Sequence, residues 1–145
     1  MQRPPAEDPK IVLGFGPMDE VHAEFQALVA QALRCSGAEL LAALEPLAVH
    51  LRAHFAAEDA WMRETDFPAR DCHIDEHAAV LRSADEVLPL VAAGNFSVGR
   101  AFVEELERWF PGHADYLDSA LAAWMCKRRF GGKPVVLRRS QPPGV

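Results

Sequence analysis

Apolar residues recur along this chain at intervals of three and four. Four stretches hold that spacing long enough to make helices with one buried stripe. The first runs from about Met18 to Leu33 and carries Met18, Val21, His22, Phe25, Leu28, Val29 and Ala32 on one face, after which Cys35-Ser36-Gly37 breaks it. Ser36 and Glu39 have capping-box spacing, which predicts the start of a second helix there. That helix runs to about Glu64, with Leu44, Leu47, Leu51, His54, Phe55, Glu58 and Met62 along its inner stripe. Asp66-Phe67-Pro68 reads as a turn. A third helix is predicted from about Ala69 to Ala93, facing inward with His73, His77, Val80, Leu81, Ala84 and Leu88 and ended by Gly94-Asn95. The fourth is predicted from about Ser97 to Arg129, with Gly131-Gly132 as its stop. No stretch sustains the alternation of a β-strand.

Long helices joined by short connections make an all-α, antiparallel up-down four-helix bundle the economical architecture. The expected organisation is an N-terminal arm over 1–17, the bundle over 18–130 and a C-terminal tail over 131–145, because residues 133–145 carry three prolines and four apolar positions without a period. Pro46 and Pro111 interrupt the second and fourth helices. Each removes one backbone hydrogen bond and is expected to bend or split its helix.

Composition narrows the class. A length of 145 residues with half of them hydrophobic suits one domain with one core. No run approaches the ~20 apolar residues that span a bilayer. The start, Met1 to Lys10, is Pro-rich with no basic-then-apolar pattern, so a cytoplasmic location is expected. Cys35, Cys72 and Cys126 are odd in number and form no CxxC pair, which fits reduced thiols. The net charge of −6 is uneven. Lys127, Arg128, Arg129, Lys133, Arg138 and Arg139 close the chain with no acidic residue among them. Residues 1–126 therefore carry nine basic against twenty-one acidic residues, a net of −12. An acidic body argues against nucleic-acid binding. The basic tail reads first as a solvated terminus and second as a dock for an acidic protein partner. Oligomeric state is open, with a monomer as the simpler expectation.

Five of the six histidines fall on the inward faces. His54 and Glu58 are four apart on the second helix, and His73 and His77 are four apart on the third. Residues at that spacing sit one above the other, so each pair aims two ligand atoms at the bundle axis. His22 adds one from the first helix, and His113 and Asp118 add two from the fourth. Imidazole suits iron, copper and zinc, and a carboxylate can bridge two ions. Two six-coordinate ions sharing one oxygen bridge leave ten other positions. Two bridging carboxylates and five imidazoles fill all but one, which stays open for a small ligand. Left unpaired, these groups would cost several kcal/mol in an apolar core. A hydrogen-bonded core histidine is the usual reading for a lone case and does not explain five.

These motifs together resemble the hemerythrin family over about residues 15–130. Met18-Asp19-Glu20-Val21-His22 resembles its first-helix signature, and His54-Phe55-Ala56-Ala57-Glu58-Asp59 resembles its HFxxEE. Phe67-Pro68 followed by His73 and His77 resembles its Tyr-Pro and HxxxH, and Trp109, His113 and Asp118 resemble its Trp-x3-His-x4-Asp. The resemblance implies that His73, His77 and His113 bind one iron and that His22 and His54 bind the other and leave it five-coordinate. Glu58 and Asp118 would bridge the two irons beside an oxo or hydroxo group. Dioxygen would bind reversibly at the open iron, making the chain an oxygen carrier, store or delivery protein and not an enzyme. Phe55, Trp109 and Phe110 would line the oxygen pocket. Asp118 rests on the resemblance, since on an α-helix it lies about 140° from His113; Asp115 lies about 200° away and is expected to take no part.

The chain departs from the family at His50, where Tyr is common, and at Phe110 and Ala114, where Leu and Ile are usual. Pro111 is also unusual. His50 reads as a hydrogen-bonded core residue first, and as a donor or extra ligand second. A ferritin-like di-iron site would need ExxH motifs, a zinc hydrolase HExxH, and neither occurs. A metal-free interaction module leaves the inward imidazoles unexplained. Within the family, a sensor of oxygen, nitric oxide or redox state signalling to a partner is the alternative, as is iron binding or storage.

Overall fold

A computed structural model describes residues 11–129. The N-terminal ten residues, Gly131-Gly132 and the basic tail beyond Arg129 lie outside them. Helix α1 spans Gly16–Leu33, α2 Ala38–Glu64, α3 Arg70–Ala92 and α4 Phe96–His113; a π-helical turn, Ala114–Asp118, continues directly into α5, Ser119–Arg129. α4, the π-turn and α5 together form the fourth rod of an antiparallel four-helix bundle. Around the bundle α1 packs on α2, α2 on α3, α3 on α4, and α4 back on α1.

The ends of the helices follow from local chemistry. Pro17 sits in the first turn of α1, where its missing N–H is not needed. Asp19 folds the incoming chain back, its carboxylate accepting the backbone N–H of Leu13 at 2.7 Å and of Gly14 at 3.1 Å. Phe15 is thereby buried, and Ile11 and Leu13 pack against the core. The capping box expected at Ser36 does not form. Gly37, with φ of +57°, precedes α2 instead, and it has no side chain to cap with.

α2 and α3 end in the same motif. Phe67 N–H bonds Met62 C=O at 2.9 Å with Asp66 at φ +52°, and Asn95 N–H bonds Leu90 C=O at 2.9 Å with Gly94 at φ +100°. Each left-handed residue lets the chain reverse while satisfying the last carbonyls. Pro46 does not split α2, which continues through it on the exposed side. Pro111 likewise lies within α4, and the irregularity comes three residues later, as the π-turn.

The core has two apolar halves. Phe25, Val29, Leu44, Leu47, Leu51, Val103 and Leu106 belong to one; Phe15, Met18, Met62, Phe67 and Leu121 belong to the other. Gly99 brings α4 close to its neighbours in the first half, since a Cβ there would meet Val91 Cγ2 at 2.6 Å. Between the halves lies a layer of polar side chains. On α1 His22 separates Met18 from Phe25, on α2 His54 and Glu58 separate Leu51 from Met62, and on the fourth rod His113 and Asp118 separate Leu106 from Leu121. Among the described residues, no helix is long and apolar enough to cross a membrane.

Candidate metal centre

The polar layer contains His22, His54, Glu58, His73, His77, His113 and Asp118, each between 0% and 4% exposed. All seven residues singled out as ligands from the sequence are therefore brought together. Each carboxylate faces two groups of rings. Glu58 Oε2 lies 2.8 Å from His54 Nε2 and 3.5 Å from His22 Nε2, while its Oε1 lies 3.3 Å from His77 Nε2 and 3.4 Å from His73 Nε2. Asp118 divides likewise, with Oδ2 3.1 Å from His22 Nε2 and Oδ1 2.9 and 3.0 Å from the Nε2 atoms of His73 and His113.

The π-turn is what brings Asp118 inward. An α-helix bonds residues four apart, whereas a π-turn bonds residues five apart, so a side chain five along comes back to the same face. His113 and Asp118 are five apart, and the turn lies between them. Asp115 is exposed.

Many of these contacts are short without being hydrogen bonds. His22 Nε2, His73 Nε2, Glu58 Oε1 and both Asp118 oxygens are buried with no aligned hydrogen-bond partner. The Nε2 atoms of His77 and His113 face each other at 3.3 Å. Lone pairs aimed at common points between the helices are the arrangement a cation satisfies, and two groups fit one. Glu58, His73, His77, His113 and Asp118 converge within 4.8 Å, as do His22, His54 and Glu58. Protons are the competing cations. Burial lowers the pKa values of His22 and His73, but Asp118 and Glu58 outweigh it and lift both to about 9. His77 is raised too, with burial opposed by Asp59 and Glu58. Burial would raise the carboxyls, yet the imidazoles around them hold Glu58 and Asp118 well below their usual range.

Two carboxylates that periodicity did not single out orient the rings. His77 Nδ1 donates to Asp59 at 2.7 Å, and His113 Nδ1 donates to Glu76 at 2.9 Å. Trp109 Nε1 donates to the same Glu76 oxygen at 2.7 Å. An Nδ1–H bond of this kind fixes the tautomer and turns the Nε2 lone pair toward a metal.

The aromatic residues divide between the two groups. Phe55 stacks on His77, centroids 4.1 Å apart and planes 7° from parallel, and also touches His54 at 5.1 Å. Trp109 lies over His113 at 4.2 Å. Phe110 stands edge-on to His22 at 5.0 Å and packs on Phe25 at 4.6 Å. His50, one turn before His54, is mostly buried, with Nδ1 3.8 Å from the exposed Glu24 carboxylate and Nε2 without a partner. Burial and the neighbouring His54 push its pKa down.

Fold and site define a metal-binding four-helix bundle whose ligand layer is rich in imidazole. The profile of the Hemerythrin HHE cation binding domain matches residues 14–125. The chain is 38% identical to a bacteriohemerythrin of Ralstonia nicotianae over 116 residues, covering 80% of this chain and 85% of that protein. The chain belongs to the hemerythrin family. No solved structure matches it significantly.

Proposed function

We propose that this chain binds dioxygen reversibly at a pair of iron ions held in the polar layer, as an oxygen carrier, store or delivery protein and not as an enzyme. The observation that carries this reading is the division of each carboxylate between two groups of imidazoles, which suits two ions and not one. In this reading His73, His77 and His113 hold one iron, and His22 and His54 hold the other. Glu58 and Asp118 would be shared between the two, beside an oxo or hydroxo group. When bound, such a pair would supply the two electrons and the place that a dioxygen molecule needs. Asp59 and Glu76 keep two rings in the metal-binding tautomer. Phe55, Trp109 and Phe110 exclude water. The chain is read as an 18–130 bundle with short flanking segments, working in the cytoplasm, its oligomeric state open with a monomer as the simpler expectation.

The test is iron content together with absorption spectra under nitrogen and in air. About two irons per chain and a spectral change reversed by removing oxygen are expected. One metal per chain, or mainly zinc after expression with ample iron, overturns the reading.

Phe110 carries a second prediction. It is 3% exposed and packs against His22, the ring assigned to the iron with the open position. Phe110→Ala is expected to remove about 3 kcal/mol of stability and leave a cavity beside the site. Water reaching the iron should then shorten the time for which the protein stays able to take up and release dioxygen. The measurement is the air-minus-nitrogen absorption change, followed over storage in air, with iron content checked. An unchanged lifetime in a fully loaded variant means that Phe110 does not guard the site.

A further inference from the structure

The two halves of the polar layer are unequally built. Three imidazoles converge with Glu58 and Asp118 on one side, and two imidazoles, His22 and His54, face the other oxygens of the same two carboxylates, so five donors stand against four. Anchoring is uneven in the same sense. On the three-histidine side Asp59 holds His77 at 2.7 Å, and Glu76 holds His113 at 2.9 Å while accepting the Trp109 N–H as well. His73 Nδ1 is buried without a protein partner, as on the other side are the Nδ1 atoms of both His22 and His54, so two of three rings are anchored against none of two. Those last two are held by packing, His22 against Phe110 and His54 against Phe25 at 6.1 Å.

We infer that the two metal positions differ in affinity and fill in order, the three-histidine position first and the His22–His54 position second. The inference rests on the two-metal reading above. More donors, already oriented, bind an ion with less ordering to be done on arrival. An imidazole whose far N–H is held by a carboxylate is also the more basic ligand, and each such anchor changes metal affinity by about 10–100-fold. The second ion meets two unanchored rings and carboxylates whose charge the first ion has already partly neutralised. When metal is scarce the protein is a one-metal species with the ion at His73, His77 and His113. It gains two-ion chemistry only when supply suffices for the weaker position, so its activity is tied to metal supply. Asp59 and Glu76 are the positioning residues that create the difference.

The experiment is an anaerobic titration of the metal-free full chain with Co2+, followed by visible absorption with a competing chelator. Two equivalents are expected to bind in two resolved steps at least about tenfold apart in affinity. Asp59→Asn and Glu76→Gln are expected to weaken the first step by about 10–100-fold and so draw the steps together, while Asp59→Glu, which keeps a carboxylate, recovers part of the loss. Two equivalents bound in a single cooperative step by the wild-type protein overturn the inference without any variant and leave the two-metal reading standing. So does equal weakening of both steps in the variants. One equivalent or none at saturation defeats the two-metal reading itself.

Discussion

Asp118→Ala is expected to reduce bound iron from about two per chain to one or fewer, whereas Asp115→Ala, three residues away, is expected to keep the full complement. Asp118 is buried, and its two oxygens lie within 3.1 Å of ring nitrogens from three different helices, on both sides of the layer. In the two-iron reading, removing it would take a bond from each ion and the negative charge that offsets them. Asp115 is exposed. Glu58→Ala should resemble Asp118→Ala, since its oxygens are divided in the same way. The measurement is metal per folded chain by elemental analysis, with helicity checked by circular dichroism. Loss of metal in Asp115→Ala with retention in Asp118→Ala would mean that the fourth helix contributes differently from the geometry described.

That pair of residues also marks where sequence reasoning stops. The pairs His54–Glu58 and His73–His77 could be read because a four-residue interval on an α-helix is a statement about direction. His113 and Asp118 could not be paired that way. The backbone between them is not α-helical, and nothing in Ala114–Asp118 announces a wider turn. Only likeness to a family pattern pointed to Asp118. Glu76 was missed for another reason. It is 37% exposed and reaches across to His113 and Trp109 on a different helix, so along its own helix it looks like any solvated carboxylate. Asp59 was visible as part of a motif but not as the partner of His77. The bundle itself was legible, because every helix carries an inward stripe at helical spacing and the turns at Asp66-Phe67-Pro68 and Gly94-Asn95 use residues suited to reversal. The start of α2 was not, since Ser36 offers a side chain that could cap while the chain turns through Gly37.

Stripping the metal is expected to lower the melting temperature on the order of 10 °C near neutral pH, and the gap is expected to widen as pH rises from about 6.5 to 9. The first part follows from mass action. A ligand that binds only the folded state at a thousandfold excess over its Kd adds about 4 kcal/mol, which in a chain of this size is on the order of 10 °C. The second part follows from protons acting as the alternative cations. In the metal-free protein His22 and His73 are raised to about 9, with His77 raised in the same direction, above the ordinary imidazole value of 6.5. Groups raised on folding contribute stability that is complete below the unfolded pKa and is lost as pH climbs through the folded one. The stripped protein therefore weakens between pH 6.5 and 9. Metal ligands must be deprotonated, so affinity for the ion rises over the same interval and the loaded protein moves the other way. In acid the carboxylates decide. Glu58 and Asp118 are depressed on folding, so the stability they add is present above the unfolded carboxyl range and is lost as pH falls. Protons also displace the metal there, and the two curves should converge below about pH 5. Melting temperatures of loaded and stripped protein at pH 5, 7 and 9 test this. A gap that narrows toward pH 9 would mean that the imidazoles do not hold the positive charge the carboxylates require, and identical curves at all three values would remove the metal from the bundle's interior altogether.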